Sequence, residues 1–149
     1  MKTILLASAC LMISGAVHAQ SQSGGGCPAL PADSGLAWEK LDGRGYTFCK
    51  AIRASDGGQV LAVMLSAEAP FKPRRGDRVN ETMIDGQPTW WYRGELADTT
   101  GVKVRETIVE LGRDQVAHIS LRAGSDQEMS QAMSVAESLH FGDVLVSSN

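Results

Sequence analysis

VKVRETIVELGRDQVAHISLRA, residues 102–123, followed by GSDQEMSQAMSVAESLHFG, residues 124–142, decides the fold. Two runs, Val102–Leu111 and Val116–Ala123, carry β-branched and apolar residues at strand spacing. Gly112-Arg113-Asp114-Gln115 between them tolerates the positive φ of a tight hairpin turn. The period then changes. Ser125-Asp126-Gln127-Glu128 has the form of a capping box, in which the Ser125 hydroxyl accepts from the Glu128 N–H and the Glu128 side chain reaches back. Met129, Ala132, Met133, Ala136, Leu139 and His140 follow at i, i+3, i+4 and i+7, the spacing of an amphipathic helix, and Gly142 suits its end.

Working outward, two more hairpins precede this unit. Tyr46–Arg53 and Gln59–Ala67 flank Asp56-Gly57-Gly58, and Arg78–Ile84 and Thr89–Leu96 flank Asp85-Gly86. Val60–Leu65 is apolar on both strand faces and belongs at the centre of a sheet. Asp33 or Ser34 can cap a short helix through Leu41, closed by Asp42-Gly43-Arg44-Gly45. The expectation is an α+β domain: an antiparallel β-sheet of about six strands in hairpins, with a C-terminal amphipathic helix and a short N-terminal helix packed on it.

The N-terminus reads as an export signal over residues 1–19. Lys2 precedes the apolar run Ile4–Val17, and Val17-His18-Ala19 places small residues for cleavage before Gln20. An uncleaved anchor and lipid attachment at Cys10, within Leu6-Ala7-Ser8-Ala9-Cys10, are the alternatives. Residues 20–26 form a polar Gly/Ser leader, 27–143 the single domain and 144–149 a C-terminal tail. Cleavage removes one of three cysteines and leaves Cys27 and Cys49. A cysteine pair in an exported chain is most economically a disulfide, here worth about 3 kcal/mol through loop closure. A periplasmic or secreted location follows from this reading.

Composition bounds the function. The 149 residues are 43% hydrophobic and 21% charged, with a formal charge of −3, and loss of Lys2 makes the mature chain more acidic still. That balance excludes a disordered chain or a polytopic membrane protein and argues against nucleic acid as a partner. No nucleophile elbow, phosphate loop, dinucleotide fingerprint or paired-histidine zinc motif occurs. The mature chain therefore carries no expected cofactor, metal site or catalytic constellation, and it reads as a non-enzyme.

Residues from Asp85-Gly86-Gln87-Pro88 through the third hairpin into Met133-Ser134-Val135-Ala136-Glu137-Ser138-Leu139-His140-Phe141 resemble the C-terminal half of Mog1/PsbP-like domains. The resemblance covers about half the mature chain. It implies paired strands before a final amphipathic helix, and a binding or accessory module in place of an enzyme.

Three clusters offer contacts. If Gly112 pairs with Gln115 without a bulge, Arg105 faces Arg122 on a polar side with Lys103 and His118 nearby. Val102, Val104, Ile108, Ile119, Leu121 and Ala123 then form the core side, and Glu106 is stranded opposite Leu121 unless it is paired, marginal or shifted by a bulge. Facing arginines call for a carboxylate partner, in this chain or another, or else form a solvated face. In Trp90-Trp91-Tyr92-Arg93, Trp91 and Arg93 share a face, which is either a hot-spot surface or one covered by the N-terminal segment or the 70s loop. Arg74 and Arg75, in the loop 70–78, can dock an acidic partner or form a solvated tip.

These features favour a small exported, non-enzymatic binding or inhibitor protein with a protein partner. Its most concrete form is an immunity protein against an envelope-acting toxin. The alternatives are an envelope accessory protein holding a small ligand between sheet and helix, and a hydrolase using a spatially assembled site around His118 and Glu106.

Overall fold

The computed structural model describes residues 26–94, 101–112, 114–142 and 144. The export signal, Cys10, the Ala19–Gln20 junction, residues 20–25 of the leader and residues 145–149 lie outside the described residues. In chain order the strands are β1 Leu36–Gly43, β2 Tyr46–Arg53, β3 Gln59–Ser66, β4 Arg78–Ile84, β5 Gln87–Arg93, β6 Lys103–Gly112 and β7 Gln115–Ala123, and the helix α1 spans Asp126–Glu137. They form one antiparallel seven-stranded sheet in the order β1-β2-β3-β7-β6-β5-β4.

The N-terminal segment departs from expectation. Leu36–Gly43 is a strand, with no helix, and it adds a seventh strand to the expected six. Leu36 and Trp38, two residues apart, point to one side and are half-buried, whereas Leu41, expected inside a helix, is 59% exposed. A continuous ladder from Leu36↔Arg53 to Gly43↔Tyr46 satisfies the outer edge of β2. That ladder outweighs a short helix of marginal intrinsic stability. The Asp42–Gly45 stretch is thus a hairpin turn; its glycines break a helix and close a turn equally well. The Asp85-Gly86 turn fits expectation, with φ of 49° and 76°, the left-handed pair of a type I′ hairpin.

One sheet face is buried. Cys49, Leu61, Val63, Trp91, Ile119 and Leu121 point from it toward Met129, Ala132 and Ala136 of α1, Leu30, and Leu139 and Phe141 beyond the helix. Val144, where a tail was expected to begin, is 2% exposed and part of this core. Cys27 and Cys49 are disulfide-bonded and fully buried. The bridge pins the N-terminal segment over β2, where the Trp38 Nε1–H also donates to the Pro28 carbonyl at 2.7 Å.

The helix begins as the capping signal required, with the Glu128 N–H donating to Ser125 Oγ at 3.2 Å. The return arm is displaced by one residue: Glu128 Oε2 accepts from the Gly124 N–H at 2.9 Å. The helix stops at Glu137, ahead of Gly142, because Leu139 and Phe141 are drawn into the core in extended backbone. Ala29 pairs with His140 there, and Asp85 accepts from the Phe141 N–H at 3.1 Å.

Candidate functional site

Register converts these strands into a polarised surface. Arg78 pairs with Tyr92, Arg93 with Arg105, and Val104 with Arg122, so the start of β4, the end of β5, the start of β6 and the end of β7 lie at one end of the sheet. The 3₁₀ turn Arg75–Asp77, which opens directly into β4, adds Arg75 and its neighbour Arg74. Lys103 and Arg53 close the arc, because β6 begins and β2 ends there. The opposite end gathers carboxylates: Asp42 near the end of β1, Glu68 after β3, and Asp85, Glu110 and Asp114 in or beside hairpin turns. The first end thereby carries an excess of basic side chains, with Asp56, Asp77, Asp126 and Glu128 interspersed among them.

Of the sequence candidates, Arg74, Arg75, Arg93, Arg105 and Arg122 lie at this end, with Arg93 and Arg105 on the core side of the sheet and Arg122 on the opposite side. Trp91 does not. It is fully buried in the core with no partner for its Nε1–H among the described residues, which removes it as a surface contact. The tryptophan at the basic end is Trp90, with the Arg78 guanidinium 4.9 Å from its ring centroid, a cation–π geometry. Alternation had given the two tryptophans opposite faces but not which was inside.

The facing of Arg105 and Arg122 is also corrected. A bulge between Glu110 and Gly112 slips β6 by one residue, so Arg105 opposes Leu121 in β7 and Arg93 in β5, while Arg122 opposes Val104. The slip exchanges faces. Thr107 and Val109 turn into the core, and Val104, Glu106 and Ile108 turn to the other side. Arg105 finds its nearest acceptor in its own strand, donating from Nη1 to the Val104 carbonyl at 2.8 Å.

The same bulge resolves Glu106. Its Oε2 lies 3.0 Å from His118 Nε2, and both side chains are largely shielded, at 20% and 14% exposure. Loop 67–77 crosses this face from the acidic to the basic end and lays Phe71 over the pair, with ring centroids 5.3 Å from His118 and 5.8 Å from Tyr92. A cleft of about 510 Å³ remains beneath the loop, between Phe71, Tyr92 and Ile108. Among the described residues no cluster of three His, Cys, Asp or Glu is placed to hold a metal ion. No helix of the described residues is long and apolar enough to cross a membrane.

Lys103 at the basic end donates to Asp126 in the first turn of α1. The Asp126 pKa is lowered, first by this hydrogen bond, then by the Lys103 charge, with a smaller contribution from Arg105. A depressed folded-state pKa contributes stability above the ordinary carboxylate value that is lost as pH falls through the folded value. Lys103→Met is expected to raise the Asp126 pKa toward its ordinary value of about 4. Asp56, held by the Gly58 N–H and Arg53, should be unaffected. Carboxyl NMR titration reads both; an unmoved Asp126 would contradict the assignment.

The chain matches no protein-family model, no curated protein and no solved structure. The reading of function therefore rests on the fold and on this site alone.

Proposed function

We propose that the protein acts after export as a non-enzymatic binding or inhibitor protein, and that its basic end docks an acidic surface of a protein partner. An immunity protein against an envelope-acting toxin is the concrete form of this reading. The observation that carries it is the placement of Arg74, Arg75, Arg78 and Arg93 at one end of the sheet, with Arg78 over the Trp90 ring, on a chain whose net charge is −3. The Arg74, Arg75 and Arg93 side chains make no hydrogen bond or ion pair among the described residues. Arginine and tryptophan are the residue types most enriched at binding hot spots. Charge complementarity of this kind speeds encounter and rejects wrong partners. The buried Cys27–Cys49 disulfide supports an oxidising compartment, the Mog1/PsbP-like resemblance supports a binding module, and Ala19–Gln20 is the proposed cleavage point.

Affinity capture from an envelope extract tests this, with the protein immobilised through its C-terminus. A discrete protein is expected to be retained at low salt and eluted near 0.5 M salt, where screening collapses the attraction. Arg75→Glu/Arg93→Glu should abolish retention without lowering the thermal midpoint, since both side chains are exposed and Arg93→Glu replaces a like-charge facing with Arg105 by an opposite-charge one. Capture of anionic lipid vesicles alone, or a retained protein indifferent to the double reversal, would overturn the reading.

A further inference from the structure

We propose that the cleft at the basic end of the sheet–helix junction binds a small amphipathic monoanion, an aliphatic carboxylate. This inference goes beyond protein docking and does not depend on it.

The cleft measures about 550 Å³, within the range of small-molecule sites. It forms where the β2–β3 turn, the start of β6 and the end of β7 meet the first turns of α1. Val60 and, on the Arg122 side of the sheet, Val104 supply apolar wall, with Ala132 bordering it from α1, which favours an alkyl body over a fully hydrated ion.

Charge decides the head group. Arg53, Arg122 and Glu128 line the cleft. Arg53 Nη1 is committed to Asp56 Oδ2 at 2.6 Å, and Glu128 Oε2 accepts from the Gly124 N–H at 2.9 Å. The Arg122 side chain, exposed at the end of β7, has no hydrogen bond or ion pair among the described residues. One uncommitted guanidinium fits one carboxylate through its paired N–H groups. The Glu128 carboxylate in the same wall disfavours a dianion such as phosphate.

Titration calorimetry on the full chain, with acetate, hexanoate, octanoate, 1-octanol and inorganic phosphate, tests the proposal. Octanoate should bind with one-to-one stoichiometry, more tightly than hexanoate, with acetate and phosphate undetected. Both 1-octanol in place of octanoate and Arg122→Ala with octanoate should weaken binding about tenfold, the loss of one charge-assisted pair. Amide NMR shifts should centre on Val104 and Ala132. Arg75→Glu/Arg93→Glu, which tests the docking surface, should leave octanoate affinity unchanged. Absence of saturable octanoate binding, phosphate binding as tightly as octanoate, or an affinity indifferent to Arg122→Ala would overturn the proposal.

Discussion

Trp91→Ala is expected to cost about 3–5 kcal/mol of unfolding free energy, the range for emptying a large buried aromatic site. Trp91 is fully buried, in the same core as Ile84, Val109, Ile119 and Phe141, so a cavity there cannot be relieved by solvent. Its Nε1–H has no acceptor among the described residues, and an unsatisfied buried donor costs about 1–3 kcal/mol. Trp91→Phe removes that donor along with part of the ring volume, and the two changes offset each other. The phenylalanine variant should therefore lie at least about 2 kcal/mol above the alanine variant in urea unfolding. Wild-type stability in Trp91→Ala would place this side chain outside the core and restore it as a surface contact.

Loss of the disulfide has an effect of similar size. The bridge closes a sequence separation of 22 residues, which corresponds to about 3 kcal/mol of unfolded-state entropy. Cys27→Ala/Cys49→Ala leaves no buried polar group and isolates the cross-link. It is expected to raise the unfolded fraction roughly 100-fold and to lower the thermal midpoint by about 10 °C. The largest local loss should fall on residues 26–35 and on β1, because the bridge fastens that segment to β2. Hydrogen exchange should report faster opening at Trp38 and Lys40 than at Ile119 in the centre of the sheet. A double variant as stable as the parent, with uniform exchange, would contradict this role.

Much of the architecture was legible in the sequence because its turns are chemically explicit. Asp56-Gly57-Gly58, Asp85-Gly86 and Gly112–Gln115 each mark a hairpin that is present, and Ser125 with Glu128 marks the start of α1. What misled was non-local. Leu36–Leu41 supports a helix in isolation, and only the waiting edge of β2 makes it a strand. The bulge after Glu110 is invisible in residue types, yet it reverses the faces of β6 and so moves Glu106 from an apolar neighbour to His118. The stranded carboxylate was the available signal: an acid on an apolar stripe points to a partner or to a register error, and both were present.

The candidate site shows the same division. Arginine clustering could be read for Arg74 and Arg75, which are neighbours in sequence. Convergence of Arg93, Arg105 and Arg122 with them depends on which strand ends coincide, a property of the order β7-β6-β5-β4. The separation of charge between the two ends of the sheet emerges only once that order is known.

The central claim, that the basic end is where a protein partner docks, is tested most directly by site-specific photocrosslinking in the producing cell. A photoreactive side chain is placed at position 75, on the basic end, or at position 114, on the acidic end. The account expects one discrete adduct with a second protein from position 75 and none from position 114. Adducts from position 114 alone, or no adduct from either position, would contradict it.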